Sequence, residues 1–408
     1  MTFSPSQYRL LKSRLTSRYE KEFKSILVAL KKAPASELKS WILENKTELA
    51  EVTSLKWLFV KQVQTYLFFA SAIPKLSLNQ GEEFNPLEDE VFEKWNQSEF
   101  ADVFLKALNK GQSLQKASIQ ALKVLEEHLV TLAHRQIQKN YRTHKNYRPQ
   151  TSLGDFTKQG KLLRLLETTL HLEGKELNLM TPNFKEMKNF SHRIEIATKV
   201  IRKFSPSSWE RFSAFTDLII PIKQKEFVSY SHQELPGVSM INLYHRDFVD
   251  LLDDLLHENG HHHLNYYLNT GTLIKEPPEA IYYSPWRRTL RPLRGIYHAY
   301  FTFFWAFKFF SELSAAKEQD SIWYLFSVKE KEKIIWRAVE EYWMLEYVYQ
   351  DLKTAKAEGL INETGWKLIQ EQRKELLKFK KKIPLWEKKL KTHRQELKDL
   401  KKVLKENS

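Results

Sequence analysis

The run His257-Glu258-Asn259-Gly260-His261 constrains this chain more than any other feature, because the HExxH spacing makes chemical sense only on a helix. At about 3.6 residues per turn, positions i and i+4 share one face. Two imidazoles then converge on a single ion while the intervening carboxylate projects beside it. The stretch from about His245 to Leu268 reads as that helix. His262 and His263 fall about 100° and 200° round from His261 and are read as flank or surface. Gly260 costs about 1 kcal/mol of helix propensity relative to Ala, which implies that something packs closely against it.

Two histidines need a third protein ligand. The chain has no Cys, so thiolate zinc sites, iron–sulfur clusters, disulfides and cysteine nucleophiles are excluded, and any metal is left to His, Asp or Glu. The metzincin extension fails, since His263 stands at its Gly position and Tyr267 at its third His. A gluzincin would use a Glu from a following helix, with Glu279 and Glu312 as candidates. The other candidate is His298, set among Ile296, Tyr297, Phe301 and Phe304. His298 and Glu312 would lie about 21 Å apart along one helix, so both cannot bind one ion.

With only 11 Gly and 14 Pro in 408 residues, the expected fold is mostly α with a small antiparallel β-sheet, an α+β class of many helices around an HExxH-bearing core helix. Three regions are expected: an N-terminal helical region over 1–145, a metal-site core with the small sheet over 146–345, and a basic helical segment over 346–408. Ser36 is a candidate N-cap after a break at Pro34. Pro74–Glu90 and Asn140–Gly160 read as loops, the second as a boundary, and 161–213 as helical with a break at Pro182. Strands are expected at Phe215–Ile222, Glu226–Tyr230 and Val238–Leu243.

Glu371–Ser408 carries 14 Lys/Arg against 6 Asp/Glu, a net +8 of the chain's +15. Leu376, Ile383, Leu390, Leu397 and Leu404 repeat there every seven residues, with Pro384 starting or kinking a helix. This basic amphipathic segment is expected to pack its stripe on another helix, a homodimer being the alternative. Charge gathered in one terminal segment does not suggest nucleic acid. The N-terminus lacks a secretory h-region and Ile296–Phe310 is too short and too interrupted to span a bilayer, so a cytoplasmic protein with no membrane partner is expected.

Pro236-Gly237-Val238-Ser239, the HExxH run, Ser284-Pro285-Trp286-Arg287, Arg291-Pro292-Leu293 and Gly295-Ile296-Tyr297-His298-Ala299 together resemble the HExxH-motif peptide-modification protein family. The resemblance covers Ser229–Phe310, a fifth of the chain, and Gly359–Leu368 is similar to the family's C-terminal pattern. The first 150 residues match only as generic helices. The resemblance implies an α-ketoglutarate- and iron(II)-dependent hydroxylase acting on ribosomally made peptides. It implies His257, His261 and His298 as iron ligands and Arg287 or Arg291 holding the distal carboxylate of 2-oxoglutarate, with dioxygen as the other co-substrate. Arginine suits that task because its fork binds a carboxylate bidentately and stays charged.

In that reading Glu258 orients a ligand or a water at the catalytic centre, and Trp286, Tyr282 and Tyr283 wall a substrate groove or are ordinary core aromatics. The rival expectation is a zinc metallopeptidase of gluzincin type, in which Glu258 is the general base that takes a proton from the attacking water. A third reading is a binding protein whose HExxH is structural and whose basic helix recruits an acidic partner.

Overall fold

Scarce Gly and Pro and well-formed caps give a chain that is mostly α-helical with small β-sheets in the computed structural model. It describes residues 3–33, 36–49, 54–77, 86–96, 100–132, 150–151, 183–223, 225, 228–233, 236–316 and 321–407. Most of the expected boundary loop Asn140–Gly160, the start of the expected helical stretch 161–213, and Glu226 lie outside these residues. The chain divides into two compact units. One comprises Ser13–His144 and Gly154–Leu179, the other Met1–Lys12, Lys145–Leu153 and Met180–Ser408.

The first unit is helical among its described residues. It holds most of α1 (Pro5–Lys32), then α2 (Glu37–Glu44), α3 (Lys46–Leu49), α4 (Ser54–Ala72), α5 (Pro86–Asn96), α6 (Ala101–Asn109) and α7 (Leu114–Leu132). Ser36 caps α2 by accepting from Lys39 N at 3.2 Å. The core is aromatic: Phe69 stacks on Trp95 at 3.6 Å, and Trp95 Nε1 donates to Ser118 Oγ at 3.1 Å.

The second unit is built around a buried helix pair. After β1 (Gln150–Thr151) come α8 (Phe184–Phe204) and α9 (Pro206–Phe215), then β2 (Leu218–Ile222), β3 (Tyr230–Ser231) and β4 (Val238–Asn242). The motif helix α10 (Phe248–Leu268) follows, then a hairpin of β5 (Ile281–Ser284) and β6 (Thr289–Pro292), and the aromatic helix α11 (Leu293–Ala315). Next come α12 (Val328–Ala357), α13 (Glu363–Leu377), α14 (Ile383–Lys389) and α15 (Arg394–Glu406).

The main sheet has the order β1-β2-β4-β3 and is mixed where an antiparallel sheet was expected. β1 and β4 both run parallel to β2, and only β3–β4 is antiparallel. The reason is burial: every residue of β2 and β4 is buried, as strands covered on both faces are. Each expected strand is shorter than its apolar run. The β5–β6 hairpin was not expected at all.

The expected separate region 346–408 is part of the second unit. α12 runs unbroken across its boundary, α14 and α15 pack on α12, and α13 packs on α11. Leu376, Ile383, Leu390, Leu397 and Leu404 are all buried, so the heptad stripe packs within the chain, as expected for an amphipathic segment laid on other helices. Pro384 sits in the first turn of α14, where its missing N–H costs nothing. Several cations of the tail meet acids on the same helices: Arg373 pairs with Glu346, and Lys401 with Glu387 at 2.8 Å.

A candidate metal centre on two buried helices

Asp247 starts α10 as a capping box, its side chain accepting from Asp250 N while Asp250 accepts from Asp247 N. From there each residue of the motif meets a different neighbour. His257 and His261 share one face, with their Nε2 atoms 3.2 Å apart and ring centroids 4.9 Å apart. Two imidazoles bound to one ion at about 2.1 Å have nitrogens about 3.0–3.4 Å apart, so this pair already has bidentate spacing.

The other motif residues are structural. Asn259 Nδ2 donates to Thr216 Oγ1 at 2.8 Å and reaches Phe212 O at 3.4 Å, tying α10 to α9. A Cβ on Gly260 would stand 3.1 Å from both Thr302 Cα and Trp305 Cδ1. The close packing implied by this glycine is therefore the crossing of α10 and α11. That crossing delivers His298, one turn before Thr302, to the histidine pair.

His262 and His263, expected on the flank, are fully buried, because α10 is surrounded on every side. Gly237 N donates to His262 Nδ1 at 3.2 Å, so Nε2 carries the proton and donates to Ser239 Oγ at 2.9 Å. The segment Pro236–Ser239 is thus the latch that fixes the motif helix to β4. His263 lies in a box of Phe3, Tyr8, Phe215, Phe301 and Trp305 with neither ring nitrogen hydrogen-bonded.

Glu258 is buried against Ser231 on β3, near enough for that hydroxyl to lower its pKa but not aligned into a hydrogen bond. Burial outweighs this and, with Asp254 and Asp253, pushes its carboxyl up to about 8. The carboxylate therefore points to the sheet side of the histidine pair.

Of the candidates for a third ligand, His298 comes to the pair and the glutamates do not. Its ring centroid is 6.0 Å from that of His261, and its Nε2 is buried without a partner. Glu312 is ion-paired with Lys308, and Glu279 is exposed before β5. The set is not closed: among the described residues no three His, Asp or Glu stand close enough to hold an ion as they are. Rings bound through Nε2 to one ion have centroids about 5 Å apart, so His298 stands about 1 Å farther from His261 than a shared ion requires. An orphaned imidazole nitrogen beside a correctly spaced pair fits a metal.

The histidines are kept neutral. Burial pushes His257 down to about 3, helped by Arg337 and Arg287. Burial also lowers His261, with His257, His262 and Arg291 adding to it, and pushes His298 down to about 3, with His261, Arg294 and Arg291 contributing. Neutral imidazole is the form that binds a metal.

The arginines thus surround the three rings. Arg291 is half-buried and lies along α11, where a Cβ on Gly295 would be 3.1 Å from its Nε and 3.3 Å from its Cζ. Arg287 is exposed in the hairpin turn. Trp286 stacks on Phe303 at 4.7 Å, and Phe303 meets the His257 ring at 4.3 Å. Tyr283 instead meets Tyr347 of α12, and Tyr282 reaches toward Glu358.

Five further residues build the site without a motif to mark them. Phe303 packs on His257. Trp286 Nε1 donates to the fully buried Glu341 at 2.8 Å, and Arg337 binds Glu341, Glu340 and Asp253. Asp253 stands one turn before His257, which was a readable signal. Arg337 and Glu341 come from a helix some 80 residues away and had none. Neither a known protein family nor a curated protein matches the chain.

Proposed function

We propose that the chain is an iron(II)- and 2-oxoglutarate-dependent hydroxylase of a peptide or protein side chain, of the kind that modifies ribosomally made peptides in the cytoplasm. The observation that carries this is Arg291. Its guanidinium lies over Gly295, without an ion pair among the described residues, beside His261 and His298. A metal site flanked by a half-buried, uncompensated fork suits a co-substrate with a metal-binding end and a free carboxylate.

When bound, iron(II) with 2-oxoglutarate and dioxygen supplies the oxidant for a C–H bond, leaving succinate, carbon dioxide and a hydroxylated carbon. His257, His261 and His298 would hold the metal through Nε2, and Arg291 would hold the distal carboxylate. Phe303, tilted against His257 and stacked under Trp286, would shield that ligand from water, and the Trp286 ring would offer a flat apolar wall to the substrate. Glu258 keeps a proton on the β3 side, where it orients a ligand or a water.

The test is anaerobic titration of 2-oxoglutarate into the iron(II)-loaded protein, with the visible charge-transfer band as readout. A saturable band is expected in the wild type and none in His298→Ala. Arg291→Ala should raise the 2-oxoglutarate Kd about ten-fold or more, the loss of one strong charge-assisted pair. No band in protein that binds metal stoichiometrically sinks the reading.

One observation favours a zinc peptidase as the second reading: β3 is a short antiparallel strand bordering α10, and Glu258 lies against its Ser231. There Glu258 would be the general base, and Glu258→Gln would abolish peptide cleavage while sparing any 2-oxoglutarate band.

A further inference from the structure

The β5–β6 hairpin carries more positive charge than its surroundings balance. Elsewhere on this unit the arginines near carboxylates are paired: Arg337 with Asp253, Glu340 and Glu341, and Arg373 with Glu346. At the start of α11, Arg294 has Glu276 at 3.7 Å. Arg287, Arg288 and Arg291 have no ion pair among the described residues. Arg291 is turned in along α11 toward His298, whereas Arg287 and Arg288 are exposed.

The backbone holds the two exposed arginines at the rim. Arg287 N donates to Ser284 O at 3.2 Å, and Arg288 adopts φ 51°, a left-handed conformation costing about 1–2 kcal/mol in a residue with a Cβ. The strand register pairs Tyr283 with Leu290 and Ile281 with Pro292, so alternation puts these four on one face. Leu290 is 67% and Ile281 51% exposed. Neither outer edge of the hairpin pairs with a third strand among the described residues. Trp286, in the same turn, leads through Phe303 to His257.

We infer that the β5–β6 hairpin is the docking surface for an acidic, extended peptide segment, whose Asp or Glu side chains meet Arg287 and Arg288 and whose next residues pass Trp286 into the histidine site. The inference rests on the reading of that site as a centre acting on a peptide, and it adds what kind. Arg291 serves the co-substrate, which leaves the outward pair for the substrate. An unpaired strand edge suits an extended backbone, Leu290 and Ile281 suit an apolar side chain two residues from an acidic one, and the guanidinium forks supply the charge complement.

The experiment uses the full chain and a fluorescein-labelled Gly/Ser peptide carrying paired glutamates and one leucine, read by anisotropy. Wild type should bind it and lose affinity as salt rises. Exchanging the glutamates for glutamines should weaken binding about ten-fold, and so should the double variant Arg287→Glu/Arg288→Glu. A second double variant, Lys398→Glu/Lys405→Glu on α15, changes the net charge equally and should stay within about two-fold of wild type. Thermal unfolding of each variant checks that it is folded.

Equal binding of the glutamine peptide, or equal losses in the two double variants, overturns the inference. So does a single-stranded oligonucleotide that binds with the same dependence on the hairpin arginines. The 2-oxoglutarate band, recorded on the same samples, separates the two ideas. Band present with binding indifferent to Arg287 and Arg288 defeats the docking surface alone. Band absent with binding in the expected order defeats the oxoglutarate reading alone.

Discussion

Asp254 shows how burial on α10 shapes the protein's response to pH. Its carboxylate accepts from Ser229 Oγ at 2.8 Å and has Arg246 Nε at 3.5 Å, yet burial pushes it up to about 7 from an ordinary 3.8. Between these values the folded chain keeps a proton that the unfolded chain has released. This contribution to stability is therefore complete below about pH 3.8, declines as pH rises, and is lost above about 7, at a limiting slope of about 1.4 kcal/mol per pH unit. Asp254→Asn retains an acceptor for Ser229 and has no proton to lose. Urea unfolding at stepped pH should show the variant gaining about 4 kcal/mol on wild type between pH 4 and 8, about three pH units at that slope, and a difference independent of pH refutes the account. At this scale the sequence is legible where chemistry is local: the i, i+4 spacing of His257 and His261 needs no tertiary knowledge. It misleads at His262 and His263, because assigning one inward face to α10 ignores that β4, α9 and α11 enclose the rest of it. Arg337 and Glu341 beside Trp286 and His257 depend on long-range packing that no spacing encodes.

Among the elements, the crossing of α10 and α11 decides whether the three histidines can act together. Gly260 lies at that crossing, facing Thr302 Cα and Trp305 Cδ1 at the distance a Cβ cannot keep without displacing them. One of those atoms is backbone, so α11 itself has to give. Gly260→Ala gains about 1 kcal/mol of helix propensity but overpacks the crossing at a cost of about 1–3 kcal/mol, for a net loss of about 1 kcal/mol. Because His298 moves with α11, metal affinity should fall about ten-fold while His257 and His261 keep their spacing. Metal titration and chemical unfolding of the one variant check both parts, and unchanged affinity with lowered stability would detach the crossing from the site. Gly365 fixes α13 to α11 in the same manner, with Tyr297 Oη donating to Gly365 O at 2.9 Å and no room for a side chain before Leu273 O. Helices, caps and the motif helix were readable, since capping boxes and 3.6-residue periodicity are local signals. Parallel pairing of β2 with β4 was not, because apolar runs reveal burial but not direction. The β5–β6 hairpin was hidden by its prolines and arginines, although Ile281-Tyr282-Tyr283-Ser284 has strand composition.

At the scale of the whole molecule, charge and metal act on different parts. The apolar stripe of the basic C-terminus is a packed layer, buried against α11 and α12, and Glu332 accepts from Lys391 N and Thr392 N, both at 2.6 Å. Among the described residues, no helix is long and apolar enough to cross a membrane. The histidines lie in the second unit, between helices that come together only in the folded chain, so a metal binds folded protein in preference to unfolded. Linkage then requires stabilisation, about 2.7 kcal/mol when free metal is a hundred-fold above its Kd. For a unit of about 250 residues this amounts to a Tm rise of about 5–10 °C. The rise should vanish in His257→Ala and shrink in His298→Ala, because removing the third ligand leaves the correctly spaced pair. Hydrogen exchange localises the effect: protection should increase in α10, α11 and the β5–β6 hairpin, while α2 to α7 of the other unit stay unchanged. A Tm indifferent to metal that is nonetheless bound stoichiometrically would place that metal away from the histidines, most simply on surface carboxylates, and protection spread evenly over both units would have the same meaning.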